Sequence, residues 1–140
     1  MDNQALIEAL NDDLANEFAA IIQYTQYSAK VQGPHRTELK AFFQAEIPDE
    51  QLHAQYLADK IAAMGGNPTT VPATVRDASS AEDMLKAVRD SEQDAVRRYT
   101  ERSRQADELG EIALKVQLEN FIADEQNHMQ EVEQILAGWR

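Results

Sequence analysis

Two short runs concentrate the chemistry of this chain: Asp49-Glu50-Gln51-Leu52-His53 and Asp124-Glu125-Gln126-Asn127-His128. In each, a glutamate precedes a histidine by three residues, so on a helix both side chains share one face. Two further glutamates, Glu17 and Glu92, each lie 33 residues before the glutamate of the corresponding run. Carboxylates and imidazoles gathered in this way can hold divalent metal. A lone Glu-x-x-His says little, because such pairs are common on solvated helix faces. Two copies at a fixed offset, each with a glutamate at the same distance upstream, say much more.

The offset belongs to a longer repeat. Sliding the chain by 75 residues places Glu17 on Glu92, Tyr24 on Tyr99, Leu39 on Leu114 and Ile47 on Ile122. From Leu10/Leu85 to Ala62/Ala137 there are 15 identities in 53 pairs. Unrelated helical segments of ordinary composition match at roughly one position in fifteen. The excess implies two similar helical hairpins packed as a pseudo-symmetric pair.

The elements that carry these residues read as four long helices. Gly33-Pro34, the stretch from Gly65-Gly66-Asn67-Pro68 to Ser80, and Gly110 separate segments rich in Ala, Leu, Glu, Gln, Lys and Arg, which favour helix. Leu10, Leu14, Glu17, Ile21, Tyr24, Ser28 and Val31 are spaced four and three in alternation, as are Leu114, Leu118, Phe121, Glu125, His128, Val132 and Ile135. That is the stripe of a helix facing a core. Two short links and one long one, from about 65 to 80, predict an all-α four-helix bundle of two hairpins joined by a long crossover, a single domain over residues 1–140. Ser79 with Glu82, or Ser80 with Asp83, can open the third helix as a capping box. Pro48 lacks an N–H for the Gln44 carbonyl, so the second helix should bend there, either as a tolerated kink or to aim the following residues inward.

On this bundle Glu17, Glu50, His53, Glu92, Glu125 and His128 take stripe positions where leucine would ordinarily stand. Burying even one unpaired carboxylate costs several kcal/mol, and no Lys or Arg holds a neighbouring stripe position. The carboxyls must then protonate or be neutralised by cations. Two divalent ions balance four carboxylates, and two neutral imidazoles complete the ligand set. Oxygen and imidazole donors without thiolate suit iron or manganese, with zinc also compatible.

Composition agrees. Cysteine is absent, which removes disulfide scaffolds, thiol nucleophiles and thiolate metal sites. The formal net charge of −12 repels phosphate backbones and attracts cations, so nucleic acid is not an expected partner. No apolar run is long enough to span a membrane, and the first residues lack the features of a secretory signal. A cytoplasmic protein is the expectation.

Asn16-Glu17-Phe18 with Gln23-Tyr24, Asp49-Glu50-Gln51-Leu52-His53, Glu92 and Asp124-Glu125-Gln126-Asn127-His128 together resemble the ferritin-like di-iron superfamily, and bacterioferritin above all, over residues from about 5 to 137. The resemblance implies that Glu50 and Glu125 bridge two irons, with Glu17 and His53 completing one and Glu92 and His128 the other. It also implies oxidation of Fe²⁺ by O₂ or peroxide at this centre, a homo-oligomer (a dimer or larger), and a link to iron storage. Gln51 stands where the bacterioferritin haem ligand is a methionine, so no haem is expected. The sequence stops just after the fourth helix, without the short fifth helix of ferritin cages, so a 24-subunit cage does not follow. Ala95 stands where rubrerythrins carry an extra glutamate. The alternatives are a rubrerythrin-like di-metal peroxidase or oxidase without storage, and a non-enzymatic helical interaction module whose polar core sets register.

Around the six residues, Asp49 and Asp124 are candidate acceptors for the second ring nitrogens of the histidines, on their own helix or across the bundle, against a reading as plain surface acids. Tyr24 is expected to hydrogen-bond a ligand carboxylate or pass an electron, whereas Tyr99 reads as core packing with a satisfied hydroxyl. Glu46, one turn before Glu50, reads as a charged helix flank rather than a guide for iron. Tyr27 and Tyr56 fall off the stripe and are expected at a surface or interface, His35 is expected to be exposed, and Trp139 to mark a subunit contact.

Overall fold

The computed structural model describes residues 1–139. Four helices follow one another: α1 (Asn3–Lys30), α2 (Arg36–Ala63), α3 (Ala81–Glu108) and α4 (Ile112–Ala137). The architecture is the expected all-α four-helix bundle, and no helix is long and apolar enough to cross a membrane among the described residues. The starts of α1 and α3 are set by side chains. The Asp2 carboxylate accepts the Ala5 N–H at 2.8 Å, and the Ser80 hydroxyl accepts the Asp83 N–H at 3.0 Å, so Ser80 rather than Ser79 caps α3. Gly33 (φ 101°) and Gly110 (φ 71°) occupy the left-handed region in the two short links, where a side chain would be strained. Helix α2 continues through Pro48 without interruption.

Helix α1 packs along α2, and α3 along α4, giving the two hairpins. Their mutual direction follows from side-chain pairings across the bundle. Tyr24 on α1 meets Glu92 on α3, and Glu17 meets Tyr99; a pairing that climbs one helix while descending the other is antiparallel. The same holds for α2 and α4, where His53 meets Asp124 and Asp49 meets His128. Keeping every neighbour antiparallel requires the connection between α2 and α3 to run the length of the bundle. It does so beside α1: Thr69 N–H donates to Asn11 Oδ1, Ala73 N–H to the Ala15 carbonyl, and Tyr27 Oη to the Arg76 carbonyl.

The interior is divided in three. One apolar cluster, including Leu10, Leu14, Leu57, Tyr99, Leu118 and Phe121, fills one end. A second, including Tyr27, Leu39, Phe43, Leu85, Val88 and Val132, fills the other. Between them lies a polar layer described below. Tyr27 therefore corrects the sequence reading. It is 1% exposed, packs edge-on against Phe43, and uses its hydroxyl to hold the crossover at 2.6 Å. Tyr56 is half-buried against Phe121. His35 is exposed as expected, but Trp139 lies against its ring within the same chain, at 4.8 Å between centroids.

The reading that no Lys or Arg holds a stripe position near the six candidate ligands also needs correction. Asp13, on α1 one turn before Glu17, is fully buried. Arg102 of α3 grips it with two hydrogen bonds, Nε to Oδ2 at 2.7 Å and Nη2 to Oδ1 at 3.2 Å. This pair fixes how far α1 and α3 slide past each other. Removing one partner leaves a buried, uncompensated charge, whereas replacing both with apolar side chains does not. Arg102→Met should lower unfolding stability by about 3–5 kcal/mol, and Asp13→Leu/Arg102→Met should recover most of it; urea titrations of the two variants measure the difference.

Candidate metal centre

The polar layer consists of the six residues singled out by the repeat. Glu17 enters from α1, Glu50 and His53 from α2, Glu92 from α3, and Glu125 and His128 from α4. All four carboxylates are buried. Their donor atoms form two overlapping groups, Glu17/Glu50/His53/Glu125 and Glu50/Glu92/Glu125/His128, with donors in each within 4.8 Å of one another. Glu50 and Glu125 belong to both.

Both imidazoles point the same atom inward. His53 Nδ1 lies 3.2 Å from Glu125 Oε1 and 3.7 Å from Glu17 Oε1. His128 Nδ1 lies 3.8 Å from Glu50 Oε1 and 3.9 Å from Glu92 Oε2. Their outer nitrogens face aspartates of the opposite helix: His53 Nε2 is 3.0 Å from Asp124 Oδ2, and His128 Nε2 is 3.2 Å from Asp49 Oδ2. An aspartate accepting at Nε2 favours the tautomer whose Nδ1 is free to coordinate. Asp49 and Asp124 are half-exposed, so they are surface acids that also reach the imidazoles.

The glutamates are oriented in the same reciprocal manner. Tyr24 donates to Glu92 Oε1, and Tyr99 donates to Glu17 Oε1. Tyr99 thus packs in the core and holds a carboxylate as well, a role equivalent to that of Tyr24. The twofold pattern breaks at the histidines' neighbours. Phe121 stacks on His53 at 4.1 Å, whereas its repeat counterpart, Glu46, lies 2.7 Å from His128 Nε2 and is 13% exposed. Glu46 is therefore part of the histidine environment, not a solvated flank. His53 is closed off at 3% exposure, and His128 is more open at 12%.

Four carboxyls in one buried layer cannot all hold charge alone. Burial, followed by the charges of Glu125 and Glu17, pushes the Glu50 carboxyl well above its ordinary range. Burial also raises Glu125. Burial works against ionisation of Glu17 too, but the neighbouring Glu50 and His53 and the Tyr99 hydroxyl hold it below its usual value. Burial would lower His53, yet the Glu125 and Glu17 carboxyls beside its Nδ1 push it up to about 11. His128 is likewise lowered by burial but carried up to about 9 by Glu46 and Glu125. Without cations, protons supply the missing positive charge.

Protons do not satisfy every atom. Among the described residues, Glu17 Oε2, Glu50 Oε1, Glu92 Oε2, Glu125 Oε1, His53 Nδ1 and His128 Nδ1 are buried without a hydrogen-bond partner, one from each of the six side chains. Orphaned buried donors and acceptors are rare in folded proteins. An oxygen and imidazole set of this kind fits iron, manganese or zinc.

Comparison with known proteins agrees with the fold. The family model of the ferritin-like domain matches residues 7–140. A bacterioferritin of Streptomyces coelicolor is 30% identical over 129 residues, spanning 91% of this chain and 77% of that protein. A crystal structure of ferritin-like, diiron-carboxylate proteins from Bacillus anthracis superposes with a TM-score of 0.94 at 48% identity, covering 97% of this chain and 99% of that one. The bacterioferritin BfrA of Mycobacterium tuberculosis superposes with a TM-score of 0.86 at 28% identity, covering 95% and 84% respectively.

The protonation pattern sets a pH dependence for the chelator-stripped protein. Folded-state values above the ordinary ones, as for His53 and His128, give stability that is complete below about 6.5 and lost as pH climbs toward about 9 and about 11. Glu50 and Glu125 are raised and act in the same direction; Glu17 is lowered, and its contribution is already complete above about 4.5. Melting temperature in chelator should therefore fall steadily from pH 6.5 to pH 9. A rise across that window would contradict these charge assignments.

Proposed function

Because the chain belongs to the ferritin-like domain family, we propose that it is a di-metal carboxylate protein of ferroxidase type, oxidising Fe²⁺ with O₂ or peroxide. The observation that carries this reading is the set of six orphaned, buried donor atoms converging from four helices. In the proposal Glu17 and His53 hold one ion, Glu92 and His128 the other, and Glu50 and Glu125 serve both. Bound there, two iron ions would supply the electrons that reduce the oxidant. Manganese or zinc would fit the same donors.

The chain's own groups have separable tasks. Asp124 and Asp49 hold the histidine Nε2 protons and leave Nδ1 free. Tyr99 and Tyr24 hold Glu17 and Glu92 in place, and Tyr24 is included among the residues on which turnover depends. Metal uptake at neutral pH displaces the imidazole protons, so affinity should rise with pH through the range where the histidines titrate. The reading includes no haem, since Gln51 offers an amide where a thioether would be needed. It also includes a homo-oligomer, a link to storage and a cytoplasmic location.

Anaerobic Fe²⁺ titration followed by oxygen exposure tests the proposal. It predicts two Fe²⁺ per chain, taken up with proton release and oxidised on admission of O₂. Glu50→Gln should abolish uptake of the pair, and Asp124→Asn should weaken it about 10–100-fold. Tyr24→Phe should keep the two-ion stoichiometry and slow oxidation. A large assembly holding many irons per chain would place storage alongside oxidation; a small one holding two would favour peroxidase or oxidase chemistry without a store. Protein that takes up no Fe²⁺ or Mn²⁺, and whose melting point neither ion shifts, would be an interaction module instead.

A further inference from the structure

A cavity of about 410 Å³ opens between α1, α3 and the crossover, and its floor is formed by Glu17, Glu50, Glu92 and Glu125. Its volume lies in the range that holds small organic molecules. Much of its wall is methyl groups, from Ala19 and Ala20 on α1, Ala95 on α3 and Ala73 on the crossover. Larger side chains at these positions would fill the space.

The rim carries the opposite charge from the floor. Above the floor the charged lining is Arg76, Arg98 and Asp94, and Asp94 pairs with Arg76, which leaves Arg98 as the rim's uncompensated positive charge. Arg98 is the less satisfied of the two arginines. Asp13 is already gripped twice by Arg102 and lies 3.8 Å from Arg98 Nε, which is buried without an acceptor. A planar guanidinium with an unmet donor beside a cavity suits a carboxylate. Arg76 binds Ser91 and Asp94 across the opening and ties the crossover to α3 as the cavity's outer wall.

We propose that this cavity binds a small organic acid, its carboxylate on Arg98 and its apolar part against the alanines above the carboxylate floor. The inference rests on metal occupancy of the centre, because two divalent ions cancel the floor's charge and leave the rim's positive excess to act. The four-helix scaffold then has a substrate or effector pocket next to the centre, distinct from a route for cations.

The test uses Mn²⁺-loaded protein, with manganese content measured first, and calorimetric titration with butyrate, benzoate and inorganic phosphate. Saturable binding of the two carboxylates is expected, weaker by at least about tenfold in Arg98→Gln and largely restored in Arg98→Lys. Arg104→Gln, which removes an exposed charge from the same helix outside the cavity, should bind as wild type. Manganese content and circular dichroism of each variant separate loss of the pocket from loss of the fold or the metal. Equal affinity in Arg98→Gln, no saturable carboxylate binding, or binding of phosphate alone would overturn the proposal. A chain that takes up no Mn²⁺ would fail at the metal reading itself, and this inference would fall with it.

Discussion

Everything in this bundle is arranged around one electrostatic problem: four carboxylates buried in one layer between two apolar clusters. Helix-forming sequence and apolar stripes would build the bundle equally well with leucine in that layer, and more stably. The carboxylates are held ready to lose their charge to something positive. In the metal-free chain that role falls to protons, lodged on Glu50 and the two histidines. The residual orphan atoms mark where protons do the job incompletely.

The near-twofold repeat explains the economy of the layer. One hairpin sequence, used twice, supplies a glutamate, a Glu-x-x-His, an aspartate for the opposite histidine and a tyrosine for the opposite glutamate. Each half holds the other's donors in place, as the swapped pairs Tyr24–Glu92 and Tyr99–Glu17 show. Where the repeat has diverged, the halves differ physically. Glu46 and Phe121 give the two imidazoles different neighbours. Asp13 and Arg102 put an ion pair at one end where Val88 and Tyr27 make apolar packing at the other.

Much of this could be read in the sequence, for a clear reason. Periodicity names the face a residue occupies, and the 75-residue offset names its counterpart, so the six side chains of the layer and the long crossover followed from spacing alone. What spacing does not reveal is how far antiparallel helices slide past one another. Asp13 sits one turn before Glu17, but its burial became legible only once the Glu17–Tyr99 pairing set the α1–α3 register and placed Arg102 opposite. Glu46 escaped because its repeat counterpart is apolar, leaving no matching pair to flag it. Tyr27 escaped because the stripe after Tyr24 can continue at either 27 or 28, and both positions are in fact buried.

The central claim is that these six side chains hold two ions, with both imidazoles coordinating through Nδ1. Anomalous diffraction from Mn²⁺-soaked crystals addresses it directly. The account predicts two peaks within the layer, one beside Glu17 and His53 and one beside Glu92 and His128, both within reach of Glu50 and Glu125. An empty layer, or imidazoles rotated so that Nε2 faces inward, would contradict it.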